Sequence, residues 1–284
     1  MKVSILLLSF NEAQNLPTVL KSLSWCEDIV VLDSGSNDNS VDIAKSFGAR
    51  VLTRSFDNFA SQRNWGLDNG DFRNEWVLHL DADEVITPEF VNVLNSFEPL
   101  GRFDAYNVPS KLMLFDKWIK HSGMYPTYQV RLGHRERLRF AQVGHGQRED
   151  LPPSRVGFFK EPYLHYSFSH GMHHWLSKHI NYARDEACLI LENKSNLSYS
   201  EFGNSVSRRR NAKAVAAKIP TSIRPFARFF YVYFFRQGFR DGKAGFVYAF
   251  MMALYEGMTA LFLYEQKMGS SSIPKPSQKG TTSL

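Results

Sequence analysis

Three carboxylates stand close together after a short apolar run in the first third of the chain. Asp81, Asp83 and Glu84 follow residues 76–80 and precede Thr87-Pro88-Glu89, the typical start of a capped helix. Crowded like charges are costly unless a cation compensates them. Carboxylate oxygens suit Mg²⁺ or Mn²⁺, which commonly bridge to a substrate phosphate. We therefore predict that Asp81 and Asp83 bind Mg²⁺ or Mn²⁺; the alternative is a solvated acidic turn that stabilises the helix N-terminus.

Two further polar loops follow apolar runs earlier in the chain. Ser9-Phe10-Asn11-Glu12 comes after residues 3–8, and Asp33-Ser34-Gly35-Ser36 comes after residues 28–32. Asp33 either binds a ligand or forms a turn with its own backbone, as Asp residues often do in loops. The sequence leaves both interpretations open.

The elements that must position these residues alternate between short β-branched runs and helical patterns. Such alternation predicts a mostly parallel sheet with covering helices, in which ligands lie beyond the carboxyl ends of the strands. Asp33 and Asp81 are both expected at that edge. The predicted strands are 3–8, 28–33, 50–53 and 76–80, and the predicted helices are 13–23 (capped by Asn11), 40–47 and 60–67.

The pattern changes after residue 97. Shorter strands are predicted at 106–115, 128–132 and 156–159, and a long helix at 172–191. We divide the chain into residues 1–100, 101–200, a helical region 201–268, and a tail from 269 to 284 that is expected to be disordered.

Four motifs in this order resemble the family 2 glycosyltransferases of GT-A fold. They are Ser9-Phe10-Asn11-Glu12, the stretch 30–40 around Asp33, Gln62-Arg63-Asn64, and Leu80-Asp81-Ala82-Asp83-Glu84. The resemblance spans residues 3–90 and is nearest to the bacterial branch that builds lipopolysaccharide core and exopolysaccharide. It implies an α/β, Rossmann-like fold and a nucleotide-sugar donor. Residues 1–100 would be the donor-binding half of the catalytic domain, and 101–200 its acceptor-binding half.

The resemblance also implies roles on the donor side. Glu12 and Asp33 would meet the nucleoside, with the backbone around Ser9 cradling its ring. Arg63 would face the donor phosphates, assisted by Arg54, although a surface ion pair is the alternative for Arg63. Asp81 and Asp83 would hold the nucleotide and the metal. The set is Ser9, Glu12, Asp33, Arg54, Arg63, Asp81 and Asp83.

Family 2 enzymes invert the anomeric carbon, so a carboxylate must deprotonate the acceptor hydroxyl. Here His145 is followed by Gly146-Gln147-Arg148 before Glu149, whereas the commoner pattern has Glu directly after His. We assign the base to Glu149, with Asp150 as the second candidate and His145 as a metal or phosphate contact. An exposed loop carboxylate is the alternative interpretation of Glu149.

Arg131 and His165 complete the predicted site as acceptor or phosphate contacts. Arg131 belongs to a stretch at 125–132 that also fits the lipopolysaccharide branch. His170 and His174 are spaced i, i+4, with His173 and His179 nearby, which would suit zinc. A wall for an acceptor sugar explains these histidines at least as well as zinc, and ordinary structural packing is favoured over both.

The positive charge of the chain is concentrated near its C-terminus. Residues 205–243 hold ten Lys or Arg and one acidic residue, Asp241, although the whole chain carries a net charge of only +6. Aromatic residues alternate with arginines at 224–236, and no nucleic-acid-binding motif accompanies them. We predict a helical hairpin on an anionic membrane surface, with a core helix pair as the alternative.

Composition and cysteine usage limit the remaining choices. The chain is 43% hydrophobic, its two cysteines are far apart, and it opens with no secretory signal. We expect a cytoplasmic, peripheral enzyme on the inner face of the bacterial inner membrane. It would transfer a hexose-type sugar to a lipopolysaccharide-core, lipid-linked or exopolysaccharide acceptor. The alternatives are a membrane-surface scaffold with a degenerate nucleotide pocket, or a sugar nucleotidyltransferase.

Overall fold

The structure is a computed structural model that describes residues 2–143, 146–191 and 220–268. Two compact units form within these residues. The first unit contains the chain up to Lys111 and Pro126–Ser169, and the second contains Leu112–Tyr125 and, among the described residues, 170–191 and 220–268. Residues 112–125, which we call the insertion, therefore belong to the second unit, whereas the chain directly before and after them belongs to the first.

The first unit is built on one large sheet. Its parallel part has the order β3-β2-β1-β4, and antiparallel β8 and then β6 extend it beyond β4. The strands are β1 (Ser4–Ser9), β2 (Ile29–Asp33), β3 (Arg50–Thr53), β4 (Trp76–Asp81), β5 (Glu84–Val85), β6 (Ala105–Leu114), β7 (Lys117–Trp118), β8 (Thr127–His134), β9 (Phe140–Val143), β10 (Gly146–Glu149), β11 (Val156–Phe158) and β12 (Tyr163–His165).

Helices cover both faces of the parallel part, which explains why β1 is an unbroken apolar run. Ile5 and Leu7 pack with one buried cluster, and Leu6 and Leu8 pack with another on the opposite face. The helices are α1 (Leu16–Ser22), α2 (Ser40–Ser46), α3 (Phe59–Asn69), α4 (Pro88–Ser96), α5 (Gly171–Leu191), α6 (Arg224–Phe230) and α7 (Lys243–Lys267).

Helix α3 lies close to the sheet because of one glycine. A Cβ atom added at Gly66 would lie 2.8 Å from a Leu6 methyl carbon and 3.2 Å from one of Leu32. The close approach brings the neighbouring residues Gln62 and Arg63 of α3 to the carboxyl ends of the strands.

The second unit combines α5, α6 and α7 with the insertion 112–125. A π-helical stretch (Tyr231–Phe235) continues α6, and a 3-10 turn (Gly238–Asp241) precedes α7. The buried Asp241 carboxylate accepts hydrogen bonds from the backbone N–H of His121 and from both the N–H and the hydroxyl of Ser122. This carboxylate ties the insertion to the turn before α7.

The predicted α/β class, with a parallel sheet in the first half and a helical C-terminal region, is confirmed. The predicted cap of the first helix is wrong. Asn11 adopts a positive φ of 54°, and its side chain accepts from the N–H of Asn37, while α1 begins after Asn15 with no side-chain cap. The β9–β10 hairpin was not predicted, and the predicted tail 269–284 and residues 205–219 of the basic segment 205–243 lie outside the described residues.

Candidate functional site

Three of the predicted site residues lie side by side at the carboxyl edge of the parallel strands. Ser9 is level with Asp33 in the β1–β2 pair, and Leu8 is level with Asp81 in the β1–β4 pair. Parallel register therefore brings Ser9, Asp33 and Asp81 to one edge, as the sequence predicted.

The loops after β1 and β2 are bound to each other. The N–H of Asn11 donates to the Ser36 hydroxyl at 2.8 Å, and the N–H of Glu12 donates to the Ser40 hydroxyl at 2.8 Å. The Glu12 carboxylate also accepts from the Asn15 amide at 2.6 Å. These contacts fix the loop conformations before any ligand binds.

Asp33 forms a turn with the backbone that follows it, which was the second of the two interpretations of this residue. One carboxylate oxygen accepts from the N–H of Gly35 and of Ser36 at 2.9 and 2.7 Å, and the other accepts from the Ser36 hydroxyl at 2.5 Å. The side chain is buried. Its predicted contact with a nucleoside stays a prediction.

Arg54 follows β3 and is already paired. Its guanidinium binds both oxygens of Asp57 at 2.9 and 2.8 Å and also donates to Gln62. The Arg54 hydrogen bonds lower the pKa of Asp57 to about 2, although partial burial opposes the shift. The fully buried Gln62 also donates to the Ser34 hydroxyl at 3.2 Å, which connects α3 with the loop after β2.

The centre of the site is Asp81, held between two arginines. Arg63 donates to one carboxylate oxygen at 2.6 Å and Arg131 donates to the other at 2.8 Å. Burial acts to raise the pKa of Asp81, but the two guanidinium charges outweigh it and lower that pKa, so the carboxylate stays ionised. The Asp81 side chain is one-third exposed (33%), whereas both arginines are buried.

Two residues that the sequence did not assign complete this network. Glu84 is fully buried; it accepts from Arg131 and, at 3.0 Å, from the N–H of Asp81. The Tyr163 hydroxyl accepts from Arg131 at 3.4 Å and donates to Gln129 at 3.2 Å. The signal for Glu84 was present in Asp-Ala-Asp-Glu, but only the fold shows that its side chain turns inward to an arginine from β8.

The buried side chains of Arg63 and His79 pack against an aromatic ring and make few hydrogen bonds. Phe140 lies 5.9 Å from the Arg63 guanidinium and 5.2 Å from the His79 ring. Two nitrogens of Arg63 and both ring nitrogens of His79 have no hydrogen-bond partner within the described structure. Burial, and then the two arginine charges, lower the pKa of His79 well below its usual value, so this imidazole is neutral.

Asp83 and His165 lie together at the side of the same edge. Strands β5 and β12 pair so that His165 faces Glu84, and the N–H of Tyr166 donates to the Asp83 carbonyl at 2.8 Å. His165 Nε2 is 3.4 Å from an Asp83 carboxylate oxygen, and each side chain is 26% exposed. Burial acts to lower the pKa of His165, but the Asp83 and Glu84 charges raise it to about 9.

The candidate bases lie on or just after the β9–β10 hairpin, which packs on α3. Glu149 is opposite Phe140 in this hairpin, and the N–H of Asp150 donates to the Arg139 carbonyl at 2.7 Å. Asn64 of α3 exchanges two hydrogen bonds with the backbone of Phe140, at 2.8 and 2.9 Å. Asp150 is exposed, Glu149 is half-buried, and His145 lies outside the described residues.

His170, just before α5, and the histidines of α5 do not assemble a metal site of their own. His170 and His174 have ring centroids 5.0 Å apart, and His179 stacks on Trp175 at 3.6 Å. Across residues 2–143, 146–191 and 220–268, no group of three or more His, Cys, Asp or Glu is arranged to hold a metal ion. Packing accounts for His179, and the zinc alternative gains no support.

Comparison with known proteins finds a family match in the first half of the chain. Residues 4–143 match the family model described as glycosyl transferase family 2. This part of the chain, the family 2 region, is therefore similar to that family. It contains β1 to β4, Arg63, Arg131 and the acidic triplet, and the match supports the resemblance at the level of the family.

Several curated relatives of the chain are described as uncharacterized glycosyltransferases. One from Rickettsia bellii is 27% identical over 116 residues, which cover 39% of this chain and 39% of that protein. One from Rickettsia felis is 24% identical over 155 residues, which cover 52% and 53%. The chain thus spans about half, or less, of the length of these relatives.

Solved structures resemble the chain more distantly. S. aureus TarS 1–349 in complex with UDP-GlcNAc is 15% identical, with 95% of this chain and 92% of that chain covered and a TM-score of 0.47. Glucosyl-3-phosphoglycerate synthase from Mycobacterium tuberculosis, in complex with Mn²⁺, UDP and glucosyl-3-phosphoglycerate, is 19% identical, with 51% and 61% covered and a TM-score of 0.37. At such low values the likeness carries nothing about what this chain binds.

Proposed function

We propose that this protein is an inverting glycosyltransferase that moves a hexose-type sugar from a nucleotide-sugar donor to a glycan acceptor. The acceptor class we propose is lipopolysaccharide core, a lipid-linked glycan or exopolysaccharide. One observation carries the proposal: at the ligand-binding edge of a family 2 fold, Asp81 is fixed by Arg63 and Arg131 while Asp83 remains partly exposed.

The residues at this edge fit a divalent ion that is completed by the donor. Both oxygens of Asp81 accept from arginines, and Asp83 lies beside His165 with its side chain 26% exposed, so both carboxylates stay predicted ligands. A site with one or two carboxylates, water and substrate phosphates is the usual environment of Mg²⁺. When bound, Mg²⁺ or Mn²⁺ would neutralise charge that develops on the leaving diphosphate.

The chain's own residues supply the remaining chemistry in this proposal. Glu149 accepts the proton of the acceptor hydroxyl, whose oxygen attacks the anomeric carbon on the face opposite the diphosphate. The bond between that carbon and the diphosphate oxygen breaks, and the configuration inverts. His165 contacts the diphosphate or the acceptor, next to Asp83. The buried arginines hold Asp81 so that no side-chain reorganisation is needed during the reaction.

The membrane surface is the proposed place of this reaction. Helix α7 is the one helix among the described residues that is long and apolar enough to cross a membrane by length and composition. Phe226, Phe230 and Phe234 are all more than half exposed on α6 and its π-helical continuation. We propose that this aromatic and basic surface lies on the anionic inner face of the bacterial inner membrane, where a lipid-linked acceptor would be presented.

The test is release of nucleoside diphosphate from a panel of sugar nucleotides with and without Mg²⁺ or Mn²⁺. The conservative change Asp83→Asn should lower kcat/KM by about 100-fold, the scale of losing one stabiliser of transition-state charge. Its matched control is Asp42→Asn on the exposed surface of α2, which should leave the rate unchanged. Equal activity of D83N and D42N, or no turnover of any donor by the wild type, would overturn the proposal.

A further inference from the structure

The second unit contains a small cavity that the proposed reaction does not use. It has a volume of about 250 Å³ and is lined by Lys120, His121, Tyr125, Phe235, Arg236 and Gln237. All six residues belong to the insertion 112–125 or to the segment between α6 and α7. Asp241 holds these two pieces together through its hydrogen bonds to His121 and Ser122.

The lining is rich in hydrogen-bond donors. In the part of the chain that the structure describes, neither Lys120 nor Arg236 has a carboxylate partner, and the buried Nε of Arg236 has no hydrogen-bond partner. The Gln237 side-chain oxygen accepts from Arg240 at 2.9 Å, which leaves the Gln237 amide N–H groups for another partner. Asp241 is buried, its carboxylate accepts three hydrogen bonds from His121 and Ser122, and among the described residues it forms no ion pair with Lys120 or Arg236.

Two cations and several neutral donors around a small cavity are the chemistry that recognises a phosphate group. The surroundings indicate where that phosphate comes from. Phe235 lines the cavity and is 78% exposed, and Phe234 and Phe230 continue the exposed aromatic surface beside it. From residue 224 to 243 there are five basic residues and the single, buried acidic residue Asp241. A phosphate attached to hydrocarbon chains satisfies both the donors and the aromatic side chains.

We propose that this cavity binds the terminal phosphate monoester of a membrane lipid, with Lys120 and Arg236 as the main charge partners. The hydrocarbon chains of the lipid lie along Phe234 and Phe235. The inference rests on the membrane association proposed above and adds a defined headgroup site to it. It also specifies that a phosphate monoester at the membrane surface, and neither a phosphodiester nor negative charge in general, is what the second unit recognises.

The test compares two vesicle populations of equal zeta potential, in which phosphatidylcholine is mixed with either phosphatidic acid or phosphatidylserine. The full-length wild type should bind the phosphatidic acid vesicles about tenfold more tightly, the effect of about 1.4 kcal/mol of added contacts. Lys120→Gln combined with Arg236→Gln should abolish that preference. Because Lys120 is exposed, Lys120→Gln alone should fold normally and reduce the preference if the double variant unfolds.

The matched control is Arg228→Gln with Lys243→Gln, which removes two charges from the same segment but none from the cavity. It should weaken binding to both vesicle types equally and keep the preference. Loss of the preference in this control, its persistence in the K120Q/R236Q variant, or equal wild-type binding to both vesicle types would overturn the cavity assignment. Binding of soluble glycerol 3-phosphate without vesicles would overturn the lipid as its source. Failure of the wild type to bind any vesicle would instead overturn membrane association itself.

Discussion

Arg131 connects two carboxylates with different environments. One of them, Asp81, is one-third exposed at the edge of the site, whereas Glu84 is fully buried. Burying a charge is costly unless a counter-charge and hydrogen bonds compensate it. The Arg131 guanidinium provides that compensation for Glu84 and at the same time positions Asp81, so one arginine serves both stability and the site.

Replacing Arg131 should therefore destabilise the first unit through Glu84. We expect Arg131→Met to lower the free energy of unfolding by about 3–5 kcal/mol, because it leaves a buried charge without a partner. Adding Glu84→Gln should recover at least about 1 kcal/mol, since the uncompensated charge is removed as well. Urea unfolding followed by tryptophan fluorescence measures both. If R131M/E84Q were less stable than R131M, Glu84 would not be the charge that Arg131 compensates.

At the scale of elements, the sequence predicted the parallel strands closely because each is a short apolar run bounded by loop residues. The strand at 50–53 is confirmed at both ends, and the predicted helix 60–67 lies within α3. The β9–β10 hairpin escaped prediction because Gln142, Arg148 and their neighbours show no alternation of apolar and polar residues. Its position depends on Asn64 and Phe140, which are far apart in the chain. Long-range contacts of this kind cannot be derived from local periodicity.

The packing of α7 can be tested with two of its glycines. A Cβ atom at Gly245 would lie 1.9 Å from the Gly238 carbonyl oxygen, whereas one at Gly257 would lie 3.9 Å from Pro225. We expect Gly245→Ala to destabilise the second unit by about 1–3 kcal/mol, because backbone atoms must move. Gly257→Ala should be neutral or stabilising by up to about 1 kcal/mol, the gain in helix propensity. Thermal unfolding distinguishes the two variants. Equal melting temperatures would contradict the close contact between Gly245 and the Gly238 carbonyl oxygen.

The start of the parallel sheet should give the protein a measurable sensitivity to acid. Asp28, just before β2, accepts from the Ser4 hydroxyl at 2.5 Å, from Arg50 at 2.8 Å and from the N–H of Arg73 at 2.8 Å. Burial acts to raise the pKa of Asp28, but these hydrogen bonds outweigh it and lower that pKa below its usual value. The stabilisation is therefore complete above the unfolded-state pKa of about 4 and is lost as the pH falls through the lower folded-state pKa.

We expect Asp28→Asn to lower the free energy of unfolding at neutral pH by about 2 kcal/mol, the scale of hydrogen bonds to a charged group. The difference from the wild type should shrink as the pH falls below about 4. Urea unfolding at a series of pH values measures it, with Asp42→Asn as the control. A difference that stays constant with pH would mean that the Asp28 charge is not involved.

At the scale of the whole molecule, the charge is concentrated in the second half of the sequence and the donor chemistry in the first. The segment 205–243 contains ten of the thirty-four Lys and Arg residues, and the sequence identified this excess without a structure. Which aromatic residues are exposed could not be predicted, because a core helix pair and a membrane-surface helix have similar composition. The structure leaves Phe230 58% exposed and Phe234 53% exposed, stacked on each other at 5.5 Å.

Membrane association should depend on this stacked pair. We expect Phe230→Ser with Phe234→Ser to weaken vesicle binding by at least about tenfold, because each buried Phe contributes about 1.5–3 kcal/mol. Phe47→Ser, at an exposed phenylalanine of the first unit, is the matched control and should have no effect. Co-flotation with anionic vesicles measures the vesicle binding of the wild type, the F230S/F234S variant and the F47S variant. Unchanged flotation of F230S/F234S would rule out the aromatic surface as the contact.

The hydrogen bonds that join Asp241 to His121 and Ser122 also have a consequence for synthesis of the chain. Ser122 and Asp241 are 119 residues apart, so the insertion leaves the ribosome well before its carboxylate partner exists. At about 5–20 residues per second, this interval is on the order of ten seconds. During that time the N–H groups of His121 and Ser122 must remain hydrated, and the second unit cannot close. Slow translation through the C-terminal third would lengthen this period, in which the insertion has not yet packed on the turn before α7 and is open to chaperones and aggregation.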